Sequence, residues 1–136
     1  KALALDKTPR GLKSRMRDSA VAQTEIAMAE ARLRGARMYL LGTLDEAWEE
    51  VQRTSRFSLD QRMAIRLAAT HTIHEAVHVA DFAYHAAGTT AIFDRNPFER
   101  RFRDIHALAQ QVKARRSHFE TVGRHLLGLD PDLQFV

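Results

Sequence analysis

The sequence predicts an all-α protein, an up-and-down four-helix bundle forming one domain over residues 1–136. Three observations carry that expectation. The chain has only six glycines and three prolines, too few for a loop-rich sheet protein. Apolar residues recur at helical spacing through long stretches, and two Ser-x-x-Gln/Glu sequences and one Asn-Pro pair mark helix starts between them. With 136 residues, 45% of them hydrophobic and 28% charged, the chain can bury a single core.

The first seventeen residues, with Pro9, Gly11 and scattered basic side chains, read as a lead-in or a short frayed helix. From about Ser19 to Thr54, Ile26, Leu33, Ala36, Leu40, Leu44, Ala47 and Val51 form one apolar face, while Glu25, Glu30, Arg32 and Arg34 fall largely on the other. Gly42 costs about 1 kcal/mol against Ala and leaves room for a bend. A helix of about 35 residues is roughly 50 Å long, more than a small bundle needs to cover itself, so part of it is expected to pack on another subunit or domain.

Ser58-Leu59-Asp60-Gln61 is a capping box that starts a second long helix, running to about Ala86 and stopped by Gly88 at the left-handed C′ position. Asn96 as N-cap with Pro97 at the first helical position opens a third helix. Ser117-His118-Phe119-Glu120 reads as a further capping box, opening a shorter helix that carries Val122, Leu126 and Leu127 and stops near Gly128. The tail from Asp130-Pro131 reads as irregular.

Composition also bounds function. The chain has no cysteine, hence no disulfide and no thiolate chemistry, and no apolar run approaches a membrane span. The formal net charge of +4 is dispersed rather than gathered in a basic stripe with aromatics, so neither nucleic acid nor membrane is an expected partner. A cytoplasmic location is expected. The chain begins at Lys1 rather than Met, which suits a piece of something longer.

The most conspicuous motif is His74-Glu75-Ala76-Val77-His78, an H-E-x-x-H pattern. On a helix its two histidines share a face and can bind zinc, with the Glu activating a water. A third ligand is needed, and Asp81 stands where the longer form of the motif carries Gly. The expected reading is therefore no metal, with these histidines hydrogen-bonded and neutral along a helix seam. A zinc hydrolase built on His74, His78 and Glu75 is the alternative.

A second set of residues points elsewhere. Lys7-Thr8-Pro9, Leu12 and Met16-Arg17 precede Gln23, Ala29-Glu30-Ala31 and Ala36-Arg37. A small-residue turn at Ala87-Gly88-Thr89-Thr90 is followed by Pro97-x-Glu99-Arg100-x-x-Arg103-Asp104, and later by Phe119-Glu120-x-x-Gly123-Arg124-x-Leu126-Leu127-Gly128. Together these resemble the type 2 C-terminal helical domain of the acyl-CoA dehydrogenase-like flavoproteins, on the monooxygenase and hydroxylase branch.

The resemblance implies the C-terminal part of a longer flavin-dependent oxidoreductase acting on a small-molecule substrate. FAD or FMN would be bound where this bundle, a β-domain and a neighbouring subunit meet, so the bundle alone would be inactive. It implies a dimer or tetramer assembled through helix faces. A non-catalytic oligomerisation module is the alternative from a different functional class.

By the same resemblance Arg17 approaches the flavin phosphates, and Gly88, Thr89 and Thr90 lie against flavin from the partner subunit. The residue chemistry agrees, since a cation and a turn of low bulk let backbone and hydroxyl donors come close to a phosphate or ribityl chain. Arg103-Asp104 is expected to lock helices together, and Glu99 with Arg103 to pair along one helix. Acyl-CoA dehydrogenases of this family commonly carry a Glu base about nine residues after the Arg, where this chain has Val112. The monooxygenases often have a His one residue earlier, and here that position is Gln111, which can position a substrate but not deprotonate it near neutral pH. His106 and His118 are nearby candidates for that chemistry, with structural roles as the expectation.

Overall fold

The computed structural model describes residues 1–134; the last two residues of the predicted irregular tail lie outside them. Five helices follow one another: α1 (Ala2–Asp6), α2 (Ala20–Thr54), α3 (Leu59–Ala87), α4 (Phe98–Leu108) and α5 (Ser117–Leu126). Short 3₁₀ turns at Met16–Asp18, Gly88–Ile92 and Val112–Ala114 join them, and no strand occurs among the described residues. Helices α2 to α5 make the predicted all-α bundle, and the lead-in supplies α1.

α3 is the hub. α2 packs along one side of it, α4 and α5 along the other, and the Val112–Ala114 turn lies against it as well. The core is accordingly threaded along α3, with Met63, Ala68 and Thr70 at most 2% exposed, and small residues such as Ala36, Ala47, Ala91 and Ala114 bring the backbones close.

The local signals at the first two long helices act as read. Ser19 accepts from the Ala22 amide at the start of α2, which runs unbroken through Gly42 to Thr54 and closes on Ser55 in the left-handed conformation. Ser58 and Gln61 form the reciprocal capping box that starts α3.

Two other caps differ from expectation. Pro97, not Asn96, caps α4: its carbonyl accepts the first helical bond, from Arg101, while the Asn96 side chain turns back to donate to the Thr90 carbonyl at 2.9 Å. Ser117 is the first residue of α5 rather than its cap, because the chain enters through Arg116 already in helical conformation, out of the preceding 3₁₀ turn. In both places a connection ordered by bonds to neighbouring segments supplies the entry geometry that a side-chain cap otherwise would.

The predicted apolar face of α2 is only partly inside. Ala36 and Ala47 are buried and Ile26, Leu40 and Val51 half-buried, but Leu33 and Leu44 are exposed, at 49% and 40%. α2 packs chiefly on α3, so the flank of its apolar stripe at Leu33 and Leu44 is left uncovered among the described residues. Leu126 and Leu127 are likewise exposed: His125 already bonds Asp60 at the N-terminal end of α3, so α5 runs out of partner helix there.

Near that end Arg66 is buried, with Nη2 donating to the Gln134 carbonyl at 3.2 Å. Burial pushes its guanidinium below the usual arginine value, and the charge of Asp132 opposes that push. The tail is thereby tied across α3. No helix among the described residues is long and apolar enough to cross a membrane.

Candidate functional site

The turn after α3 is held from both sides. Ala87 and Ala91 are buried at its two ends, whereas Gly88 and Thr89 between them are exposed. Gly88 takes φ +52 and ψ −141, so its positive φ is as predicted, but its ψ lies far from the left-handed helical well. This is a region that essentially only glycine enters, and it swings the backbone directly into the 3₁₀ turn Gly88–Ile92. Thr90 is fixed twice: its carbonyl accepts from Asn96 and its hydroxyl oxygen accepts from Lys7 Nζ at 3.2 Å.

Lys7 is the residue that sequence reasoning passed over. Its ammonium donates both to Thr90 Oγ1 and to the carbonyl of Ala87, the last residue of α3. A cation at that end of a helix also opposes the negative end of the helix dipole. Lys7 and Thr90 stand 83 residues apart, so no local pattern could have paired them.

Arg17 lies on the 3₁₀ turn Met16–Asp18, half-exposed, with Asp18 as its ion-pair partner at 3.8 Å. The Gln23 side chain donates to the Arg17 carbonyl, and the Met16 amide donates to the Lys7 carbonyl. Lys7 thus links the segment bearing Arg17 to the turn bearing Gly88, Thr89 and Thr90. An apolar cleft of about 290 Å³ opens beside this junction, between the lead-in, the start of α2, the end of α3 and Phe98.

Gln111 sits elsewhere. It is exposed and caps the Val112–Ala114 turn, whose three carbonyls each accept one side-chain bond: Val112 from His118 Nε2 (2.6 Å), Lys113 from Thr70 Oγ1 (2.9 Å), and Ala114 from His74 Nε2 (3.0 Å). Because a carbonyl only accepts, both histidines carry their proton on Nε2. His74 and Gly88 are roughly 20 Å apart along α3 at 1.5 Å per residue. One chain therefore does not bring Gln111 to the Gly88–Thr90 turn.

The H-E-x-x-H motif is divided among structural partners. His74 is bound to Ala114, Glu75 forms an ion pair with Arg32 of α2 at 2.9 Å, and His78 is exposed. Among the described residues no three His, Cys, Asp or Glu side chains gather in a way that could hold a metal.

Arg103 and Asp104 do not lock helices together in this chain. Arg103 pairs with Glu99, as the spacing predicted, and Asp104 pairs with Arg100, both along exposed α4. The helix lock is instead His106, whose Nε2 meets Asp81 of α3 at 2.7 Å while its ring packs on Phe102, itself stacked on Tyr84. His118 is buried in the carbonyl clamp.

With this geometry in place, comparison with known proteins is informative. The family model for the acyl-CoA dehydrogenase C-terminal domain matches residues 3–115. The chain is 30% identical over 114 residues to an indole-3-acetate monooxygenase of Pseudomonas putida, covering 84% of this chain and 29% of that protein. It is 30% identical over 109 residues to a pigment production hydroxylase of Rhodococcus erythropolis, covering 78% and 27%. Among solved structures, the HsaA monooxygenase from M. tuberculosis superposes with a TM-score of 0.82 at 22% identity, over 91% of this chain and 33% of the other. The chain spans under a third of the length of the curated relatives it matches.

Proposed function

Because this chain belongs to the acyl-CoA dehydrogenase C-terminal domain family, we propose that residues 1–136 serve as the C-terminal bundle of a longer flavin-dependent monooxygenase or hydroxylase. In that reading the bundle provides one wall of a flavin site and a surface for assembly. The supporting observation is the turn at Gly88, Thr89 and Thr90, which offers no side chain at one position, hydroxyls at the next two, and a lysine ammonium behind them. The relatives named monooxygenase and hydroxylase favour oxygen insertion over dehydrogenation, and Val112 at the place of the dehydrogenase base agrees with them.

The residues present fit a flavin. Gly88, Thr89 and Thr90 would hold its oxygen-rich chain, Arg17 its phosphate, and the flavin, FAD or FMN, supplies the redox chemistry when bound. Gln111 stands at the turn that His74 binds, and His74 is about 20 Å from Gly88 along α3, so Gln111 serves such a site only if it belongs to a different copy of the site in an oligomer. Its amide orients a substrate oxygen there by hydrogen bonding and removes no proton. The protein's contribution is position and a dry pocket for a small-molecule substrate. A cytoplasmic location suits this reading.

Titration of the intact protein with FMN and FAD, oxidised and reduced, followed by flavin fluorescence and absorbance, tests the proposal. Saturable binding of one flavin is expected. Arg17→Gln should weaken it about tenfold, since a hydrogen bond to a charged group is worth about 1.5–3 kcal/mol. Absence of saturable binding to either flavin would sink the reading, and an unchanged affinity in Arg17→Gln would remove Arg17 from the site.

A specific observation also favours an assembly role. Leu33, Leu41, Leu44 and Trp48 are all at least 40% exposed and fall at helical spacing on one face of α2. A long apolar stripe of this kind suits a symmetric helix-to-helix contact in a dimer or tetramer. Leu44→Glu combined with Trp48→Glu should convert the oligomer to monomer by sedimentation while the helical circular dichroism is kept. A wild-type protein that is monomeric at high concentration would exclude this role.

A further inference from the structure

We propose that Lys7 is the positioning residue that makes Thr90 a hydrogen-bond donor to the bound flavin, an inference that rests on the reading of Gly88–Thr90 as a flavin-facing turn. An ammonium has three protons and no lone pair, so in the Lys7–Thr90 contact the hydroxyl oxygen must accept. The single hydroxyl proton of Thr90 is then left to point away from Lys7.

Thr121 shows what an undirected threonine hydroxyl does in this protein: it spends its proton on the carbonyl four residues back, at 3.2 Å. Thr90 makes no such donation among the described residues; Lys7 occupies its oxygen and Asn96 holds its carbonyl. Buried Ala91 on one side and buried Ala87 on the other restrain the backbone that carries this hydroxyl.

The charge adds to the geometry. No carboxylate pairs with the Lys7 ammonium among the described residues; its partners are the Ala87 carbonyl and Thr90. A hydroxyl that accepts from a cation is polarised and becomes a stronger donor. The acceptor it suits is an anionic or strongly polar oxygen, which in a flavin means a phosphate oxygen or a ribityl hydroxyl. Lys7 acts through Thr90 and need not touch the ligand.

A double-mutant cycle on the intact protein tests this, with FMN and riboflavin as the titrated ligands and thermal melting as a check on folding. Thr90→Val should weaken flavin binding about tenfold. Lys7→Met should weaken it by a similar factor, but in the Thr90→Val background it should add less than about twofold, because the two residues act as one unit. Thr90→Ser, which keeps the hydroxyl, should bind like wild type. If Thr90→Val lowers FMN affinity and leaves riboflavin unchanged, the acceptor is the phosphate; equal losses assign the ribityl chain.

Independent, multiplicative losses from Lys7→Met and Thr90→Val would overturn the inference, as would a Lys7→Met protein that binds like wild type while Thr90→Val is impaired. An unimpaired Thr90→Val would instead defeat the reading of the turn itself. Should Lys7→Met fail to fold, Lys7→Gln in the same cycle decides between these outcomes. Amide hydrogen exchange without ligand provides a second readout: Lys7→Met should speed exchange at Thr90, and unchanged protection there would count against the tether.

Discussion

Met63→Ala should destabilise the protein by about 2–5 kcal/mol, the range for truncating a buried methionine. Met63 is 2% exposed and, with Thr70, one of the two largest fully buried side chains. It belongs to α3, the helix on which α2, α4 and α5 all pack, so a cavity there cannot be closed by shifting a single neighbour. Urea unfolding should show a lower midpoint with an unchanged slope, since the area exposed on unfolding stays nearly the same. Met28→Ala is the control: this methionine is 48% exposed on α2 and should move stability by about 0.5 kcal/mol or less. A Met63 loss below about 1 kcal/mol would mean that the bundle relaxes around the site, contrary to a close-packed hub.

Gly88→Ala should cost about 1–3 kcal/mol, and the cost should come from the backbone. A Cβ at Gly88 would meet only Lys7 Nζ, at 3.5 Å, an ordinary contact, so space is not the obstacle. The conformation is: φ +52 with ψ −141 lies outside the left-handed well that asparagine tolerates. Gly88→Asn should therefore be as damaging as Gly88→Ala, whereas at a simple left-handed helix stop Asn would be largely accepted. On the proposed reading of this turn, both variants should also weaken flavin binding, because relief of strain would rotate Thr89 and Thr90. Differential melting of the Ala and Asn variants distinguishes the two geometries, and a well-tolerated Asn would refute the one described here.

The carbonyl clamp gives the histidine motif a role that zinc chemistry is not needed to explain. His74 and His118 both donate from Nε2 to a single turn, and Thr70 completes the set. What this orders is Gln111 at the turn's entrance. The Gly88 turn is ordered by a separate set of bonds through Lys7 and Asn96.

Legibility in the sequence followed the range of the interaction. The capping box at Ser58 and Gln61 was readable because its partners lie three residues apart and no other group competes for them. Ser117 and Asn96 carried equally good local signals and failed as caps, since the turn before α5 and the Thr90 carbonyl set the entry geometry. Leu33 and Leu44 obeyed helical periodicity, yet periodicity names a face without saying whether a neighbour covers it.

By itself the sequence determined an all-α chain, the extents of α2 and α3, the glycine that ends α3 and the family motifs around it. These depend on propensity, spacing and short-range hydrogen bonds, which are encoded within a few residues. Only the tertiary structure decided that α3 is the hub, that His74, Thr70 and His118 converge on one turn, and that Lys7 reaches the turn after α3. Each of those joins groups separated by six to 83 residues, and the folded path of the backbone, not local propensity, determines which distant donors and acceptors meet.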